Sequence, residues 1–140
     1  MDIRHFIQQD RTSLRVIYLA SRKYAFDWLD SSRFKLNDFD RDTEAEKIWV
    51  CAENNNPVGF ISVLVSEKFI HHLFVHPSSM GRGIGSALLS ACLNEIGRPV
   101  SLKCLEKNSR ANKFYHSRGW KNISYGNSAD GRYQLMQFDD

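Results

Sequence analysis

The sequence predicts a mixed α/β domain, an α+β mixed sheet with helices on both faces, in the order β-α-α-β-β-β-α-β-α-β-β. Three observations carry that expectation. The apolar pattern changes from helical spacing to strand-like runs near Lys47. A glycine-rich turn, Met80-Gly81-Arg82-Gly83-Ile84-Gly85, sits directly between an apolar strand-like run and a helical stretch. Two β-rich runs close the chain around the polar turn GNSADG.

Taken in order, Ile3, Phe6 and Ile7 read as an edge strand. Asp10 is placed to cap a helix whose stripe is Leu14, Ile17, Tyr18, Ser21, Ala25 and Trp28. SSRFKLNDFDRD holds a second, shorter helix opened by Ser31 or Ser32. KIWVCAE and VGFISVLV flank the turn ENNNP and predict a hairpin, and FIHHLFV follows as a third strand. A helix is expected from about Arg82 to Ile96, with Ile84, Leu88, Leu89 and Cys92 on one face. VSLKCLE is the next strand, SRANKFYHSRG a helix stopped by Gly119, and WKNISY and RYQLMQF the final pair. No repeat, low-complexity stretch or linker interrupts the chain, so residues 1–140 are read as a single domain.

The bulk properties narrow the function. An apolar share of 42% and a charged share of 25% suit a soluble globular protein. Cys51, Cys92 and Cys104 show no metal-ligand spacing, and an odd, sparse set argues against a disulfide framework and for reduced core thiols. The start MDIRHFIQQD meets charge almost at once, so neither a secretory signal nor a membrane anchor is expected there. No apolar run approaches the ~20 residues needed to span a bilayer. The expected address is cytoplasmic, with no membrane partner. A net charge of +3, scattered along the chain, is too small to imply nucleic acid, although SLKCLEKNSRANK is locally basic.

The glycine-rich turn is the feature with most chemical content. Glycine lets backbone approach a ligand closely, and the first amides of a helix have no partner within it. With the positive end of the helix dipole they make a cradle for a pyrophosphate; a tight strand-to-helix turn without a ligand is the alternative. A triphosphate loop would end Gly-Lys-Ser/Thr, whereas this one ends Gly85-Ser86-Ala87. A dinucleotide fingerprint needs GxGxxG near the first strand, and here a GxGxG lies in mid-chain.

HPSSMGRGIGSALL resembles the acyl-CoA binding signature of the GNAT superfamily of N-acetyltransferases, Gln/Arg-x-x-Gly-x-Gly/Ala. LEKNSRANKFYHSRGW resembles the signature that follows it, with its asparagine, alanine, Phe-Tyr pair and terminal Gly-aromatic. Their order, spacing and flanking elements extend the likeness over nearly the whole chain, which looks like a small single-domain bacterial member with the GNAT acyl-CoA N-acyltransferase fold. One residue departs from the pattern. Met80 stands where the family has Gln or Arg, and because backbone amides hold the pyrophosphate, binding is expected to survive.

The resemblance implies acetyl-CoA, a coenzyme A thioester, as co-substrate, with no metal. It implies that Leu73, Phe74 and Val75 offer backbone groups to the pantetheine arm. The amides of Met80, Gly81, Arg82, Gly83, Ile84, Gly85 and Ser86 would hold the pyrophosphate, with Arg82 adding charge. Asn108 matches a position that contacts the cofactor near its pantetheine. Tyr115 matches the tyrosine that protonates the departing thiolate; its alternative is a helix aromatic packed beside Phe114. The implied function is an acetyl-CoA-dependent N-acetyltransferase acting on a primary amine by direct attack, with a non-catalytic acyl-CoA sensor of the same fold as the alternative.

Direct attack needs a proton acceptor, because a lysine-like amine titrates near ~10.4. Strict alternation on FIHHLFV places His71 with Phe69, Leu73 and Val75, and His72 with Ile70 and Phe74. The resemblance implies a base on this strand or a chain of waters; His71 is the candidate, and a structural histidine is the alternative for each. Because the route needs no covalent enzyme intermediate, Cys104 is expected to pack and not to act as a nucleophile.

The implied acceptor pocket takes in Tyr24, Phe26, Trp28, Phe34 and Phe39, then the acidic run Asp38, Asp40, Asp42, Glu44 and Glu46. That run either attracts a cationic amine or is a solvated acidic loop. The partners expected are a small-molecule or peptide amine and no nucleic acid, in a monomer or homodimer.

Overall fold

The strand run that begins at Lys47 becomes the centre of a seven-stranded sheet, seen in a computed structural model that describes residues 1–139. The strands are β1 (Asp2–His5), β2 (Lys47–Glu53), β3 (Asn56–Leu64), β4 (Phe69–Val75), β5 (Val100–Leu105), β6 (Lys121–Ser128) and β7 (Gly131–Phe138). The helices are α1 (Arg11–Ala25), α2 (Asp38–Asp42), α3 (Ile84–Ile96) and α4 (Ser109–His116), which reproduces the predicted element order. The sheet runs β1-β2-β3-β4-β5-β7-β6, and only the β4–β5 pair is parallel.

Two hairpins form where the turn chemistry puts them. Asn54 and Asn55 both take positive φ, 51° and 67°, between the paired Glu53 and Asn56. That is the two-residue turn asparagine tolerates and whose twist suits a hairpin. The predicted turn GNSADG narrows to Ala129-Asp130, because Ser128 already pairs with Gly131.

Alternation along β2 and β3 divides the core. Ile48, Val50 and Phe60 face α1 and α2, where they pack with Leu14, Ile17, Tyr18 and Phe39. Trp49, Cys51, Ile61 and Val63 face α3, where they meet Ile84, Leu88, Leu89 and Cys92. The three cysteines are free and buried, as their apolar settings predict.

The first two helices depart from the sequence reading. Asp10 makes no side-chain cap on α1; its buried carboxylate accepts two bonds from Arg4, at 2.8 and 2.9 Å, and one from the Ile7 amide at 3.0 Å. A guanidinium fork offers charge-assisted bonds that outcompete a cap. Trp28 lies beyond the end of α1, its indole N–H donating to the Asp130 carbonyl at 3.3 Å. The second helix is short and begins at Asp38; Ser31 and Ser32 instead lie in a single tight turn capped by Asp30. No helix among the described residues is long and apolar enough to cross a membrane.

Candidate active site

The parallel pair β4–β5 is hydrogen-bonded only at Phe69–Ser101 and Ile70–Leu102. Beyond it β5 pairs with β7 and β4 with β3, so the strands diverge and a cleft opens beside Leu73, Phe74 and Val75. The cleft is about 650 Å³, within the range of ligand sites, and its walls come from β4, the end of α1, the glycine-rich turn and α4. The three β4 residues predicted to hold pantetheine therefore lie where β5 leaves the strand edge open, although the Val75 carbonyl there accepts from Ser21 Oγ at 3.1 Å.

The glycine-rich turn ends in α3, at the mouth of this cleft. Gly81 and Gly83 take φ of +78° and +82°, and a Cβ on either would meet nothing within 4 Å. Glycine is needed at both for the left-handed backbone and not for space. The first bond of α3 is Ala87 N–H to the Gly83 carbonyl at 3.1 Å, so the amides of Ile84, Gly85 and Ser86 precede any intrahelical acceptor. Met80 and Gly85 line the cleft, and the Arg82 guanidinium is paired with Glu53, one of its bonds measuring 2.8 Å. The charge expected from Arg82 is thus already met by a carboxylate. Arg118, which the sequence reading passed over, stands at the same helix end: its Nε donates to Ser86 Oγ at 2.8 Å and its guanidinium lies 3.9 Å over the Phe114 ring. Its place after the Phe-Tyr pair of α4 was the available signal.

Asn108 caps α4, its Oδ1 accepting from the Ala111 amide at 3.3 Å. Its Oδ1 is therefore committed to the helix, while the residue lines the cleft. Tyr115, on α4, packs edge-on against Phe114 and Trp120, with ring centroids 5.1 and 5.6 Å away. Only 8% of it is exposed, and burial pushes its phenol above the usual range, so it is protonated at neutral pH. Tyr115 borders both this cleft and a second one, whose walls include His71, His72, Phe26, Phe34 and Asp130. Cys104 borders the second cleft too, but burial pushes its thiol up to about 12, which fits packing and not nucleophilic work.

In the second cleft the alternation expected for FIHHLFV fails. Val63 pairs with Ile70 and Ser62 with His72, so His71 is an extra residue in β4. A bulge of this kind reverses the facing of everything on one side of it. Ile70 accordingly shares the α3 face with Leu73 and Val75, and His71 does not join them: its ring lies 3.9 Å from that of His72.

Glu46 organises this pair. His71 Nδ1 lies 2.5 Å from Glu46 Oε2, and Ser62 Oγ donates to Glu46 Oε1 at 2.6 Å. The bond to Glu46 holds His71 above the usual imidazole range, although burial opposes it. Burial, and then the neighbouring His71, push His72 down to about 4. The two rings therefore divide the labour: one holds protons easily, and the other stays neutral.

In the rest of the acidic run Glu44 is exposed, as a solvated loop residue would be, whereas Asp38, Asp40 and Asp42 are engaged by side chains of the protein itself. Asp38 accepts from the buried Arg22 at 3.1 Å, and Asp40 from Arg11 and Arg15 at 2.8 and 2.7 Å. Asp42 accepts from the Tyr18 hydroxyl at 2.7 Å and from Arg41 at 2.9 Å. Of the expected pocket aromatics, Phe26 and Phe34 line the second cleft, Tyr24 lines the first, and Phe39 is fully buried in the core. Trp28 and Arg33 both bond to Asp130, tying the segment after α1 to the β6–β7 turn.

The arrangement has relatives. Residues 44–122 match the model of the acetyltransferase (GNAT) domain. The chain is 32% identical over 72 residues to the peptidyl-lysine N-acetyltransferase YiaC of Escherichia coli, an alignment covering 51% of this chain and 48% of that protein. The solution structure of apo-form YjaB from Escherichia coli superposes with a TM-score of 0.81 at 26% identity, covering 98% of this chain and 96% of that one. YncA from Salmonella typhimurium, solved with acetyl-CoA, superposes with a TM-score of 0.73 at 20% identity over 99% of this chain and 93% of that one. The chain belongs to the GNAT acetyltransferase family.

Proposed function

We propose that this protein is an acetyl-CoA-dependent N-acetyltransferase that moves the acetyl group to a primary amine by direct attack on the thioester. The observation that carries the reading is the divergence of β4 from β5 beside a helix start with partnerless amides. The open edge at Leu73, Phe74 and Val75 suits the amide-bearing pantetheine arm, and the amides of Ile84 to Ser86 suit its pyrophosphate. Asn108 would meet the arm from the opposite wall. Tyr115, which lines both clefts and whose burial keeps its phenol protonated, would give the departing thiolate its proton. His71, in the second cleft, is the base that takes a proton from the acceptor amine.

The reaction needs no metal. The carboxylate of Glu46 and the rings of His71 and His72 have ligand atoms within 4.8 Å of one another. Both oxygens of that carboxylate are already bonded, one to Ser62 Oγ and one to His71 Nδ1, and the proposed route makes no call on an ion there. Three buried free thiols favour a cytoplasmic setting.

The test is acetyl-CoA-dependent thiol release with four amine classes: a lysine-bearing peptide, a free peptide amino terminus, small amines and amino acids, and aminoglycosides. The lysine peptide goes first because of the likeness to YiaC. Turnover with any of them is the expected result. Tight acetyl-CoA binding with no turnover across the panel would point to the sensor instead.

A further inference from the structure

His71 and Glu46 come from different parts of the chain, yet they meet at the wall of the second cleft, which His71 lines. The Glu46 side chain, in the turn before β2, is only 7% exposed, while that of His71 is 46% exposed. Each Glu46 oxygen has a fixed partner: Ser62 Oγ at 2.6 Å and His71 Nδ1 at 2.5 Å. A buried carboxylate held at one end by a hydroxyl and at the other by an imidazole cannot rotate freely. Among the described residues nothing bonds to His71 Nε2, and the residue lines the cleft. The bulge in β4 makes the pairing possible, because it turns His71 away from the α3 face and against the ring of His72.

We propose that Glu46 is a positioning residue: it fixes the neutral His71 as the Nδ1–H tautomer and leaves the Nε2 lone pair facing the amine acceptor. This inference rests on the N-acetyltransferase reading for its chemistry. The acceptor ammonium gives one proton to Nε2, and the electron pair of that N–H bond stays on nitrogen as the nucleophile. Nδ1 keeps its proton on Glu46, whose negative charge balances the imidazolium. The C–N bond then forms as the C–S bond breaks, the thiolate takes the Tyr115 proton, and the second proton lost by the nitrogen returns the phenol through solvent. His71 releases its proton to water. The same logic, a carboxylate orienting an imidazole, operates in hydrolase triads.

Other charges face His71 as well. Asp42 from α2 favours its protonated form, and Lys103 from β5 opposes it. His72, held neutral by burial, adds no charge of its own near neutrality. The Glu46 bond is the largest of these influences, so its removal has a defined direction.

The test is ligand-free NMR of histidine-labelled protein, together with Glu46→Gln. In the wild type, neutral His71 should show the Nδ1–H tautomer, the reverse of the usual preference of free imidazole. In Glu46→Gln the His71 titration should move down by about one pH unit. With acetyl-CoA and a lysine-bearing peptide, the acidic limb of kcat/KM should move down with it, and the plateau should fall roughly tenfold. A purely structural role would leave the limb where it was. An Nε2–H tautomer in the wild type, or an unmoved His71 titration in folded Glu46→Gln, would overturn the proposal. If Glu46→Gln does not fold, the wild-type tautomer decides. Because the NMR arm needs no turnover, a protein with the expected tautomer that acetylates nothing would count against the enzymatic reading and not against the dyad.

Discussion

His71 and His72 stack with ring centroids 3.9 Å apart and planes 30° from parallel, although they are neighbours on one strand and alternation would send them to opposite faces. The His72 ring is also packed 5.1 Å from Tyr18 and 6.1 Å from Phe74, which leaves it partly buried. Two imidazoles this close do not both carry charge, and burial decides which one stays neutral.

The first consequence is a dependence of stability on pH. His72 has a folded pKa of about 4, below its ordinary 6.5, so the unfolded chain binds the proton more readily. Its contribution is complete above pH ~6.5 and declines as pH falls toward 4, by about 3 kcal/mol in all. His72→Phe keeps an aromatic ring against Tyr18 and Phe74. Thermal unfolding at a series of pH values should therefore show a shallower loss for this variant between about pH 6.5 and 4.

Tyr115→Phe keeps the packing against Phe114 and Trp120 and deletes only the hydroxyl. The expected outcome is a fall in kcat of about 10²–10⁴ with acetyl-CoA affinity nearly unchanged. Steady-state kinetics alongside calorimetric binding measure both. A near-normal kcat where chemistry limits turnover would assign the thiolate's proton to water.

Gly83→Val tests the cradle through backbone conformation. A Cβ there meets no neighbour, so the fold should persist, but φ of +82° costs a non-glycine residue about 1–2 kcal/mol, and more when it is β-branched. Relaxing that strain re-aims the amides at the start of α3. Calorimetry should show acetyl-CoA binding lost in a protein whose circular dichroism is native; unchanged affinity would remove the turn from the site.

Arg22→Ala examines what holds the wall of the second cleft. Arg22 is 6% exposed, donates to Asp38 at 3.1 Å and to the Lys35 carbonyl at 3.2 Å, and lies 3.8 Å over the Tyr18 ring. Its removal leaves the buried Asp38 without its buried counter-charge, holding only the Lys35 amide at 2.9 Å and the exposed Arg41. A loss of about 3–5 kcal/mol is expected in urea denaturation, the usual cost of stranding one partner of a buried pair.

The sequence by itself determined the element order, both asparagine- and aspartate-bearing hairpin turns, the glycine-rich turn and the likeness carried by Asn108 and Tyr115. Each of these depends on interactions within a few residues: the period of apolar side chains, the φ that Asn54 or Gly83 tolerates, the amides a helix start leaves bare. Tertiary structure alone decided the second cleft. Alternation is a local rule only while strand pairing is regular, and the extra residue at His71 exists only in the register between β4 and β3. Glu46 reads in the chain as one more charge in an acidic run. It is distinguished from Asp38, Asp40 and Asp42 by its partners, since those three meet arginines or a tyrosine while Glu46 meets Ser62 and His71. Residues 16 and 25 positions away in the chain become partners because β3 and β4 pass beside the turn before β2, and burial there turns an ordinary carboxylate into a fixed one.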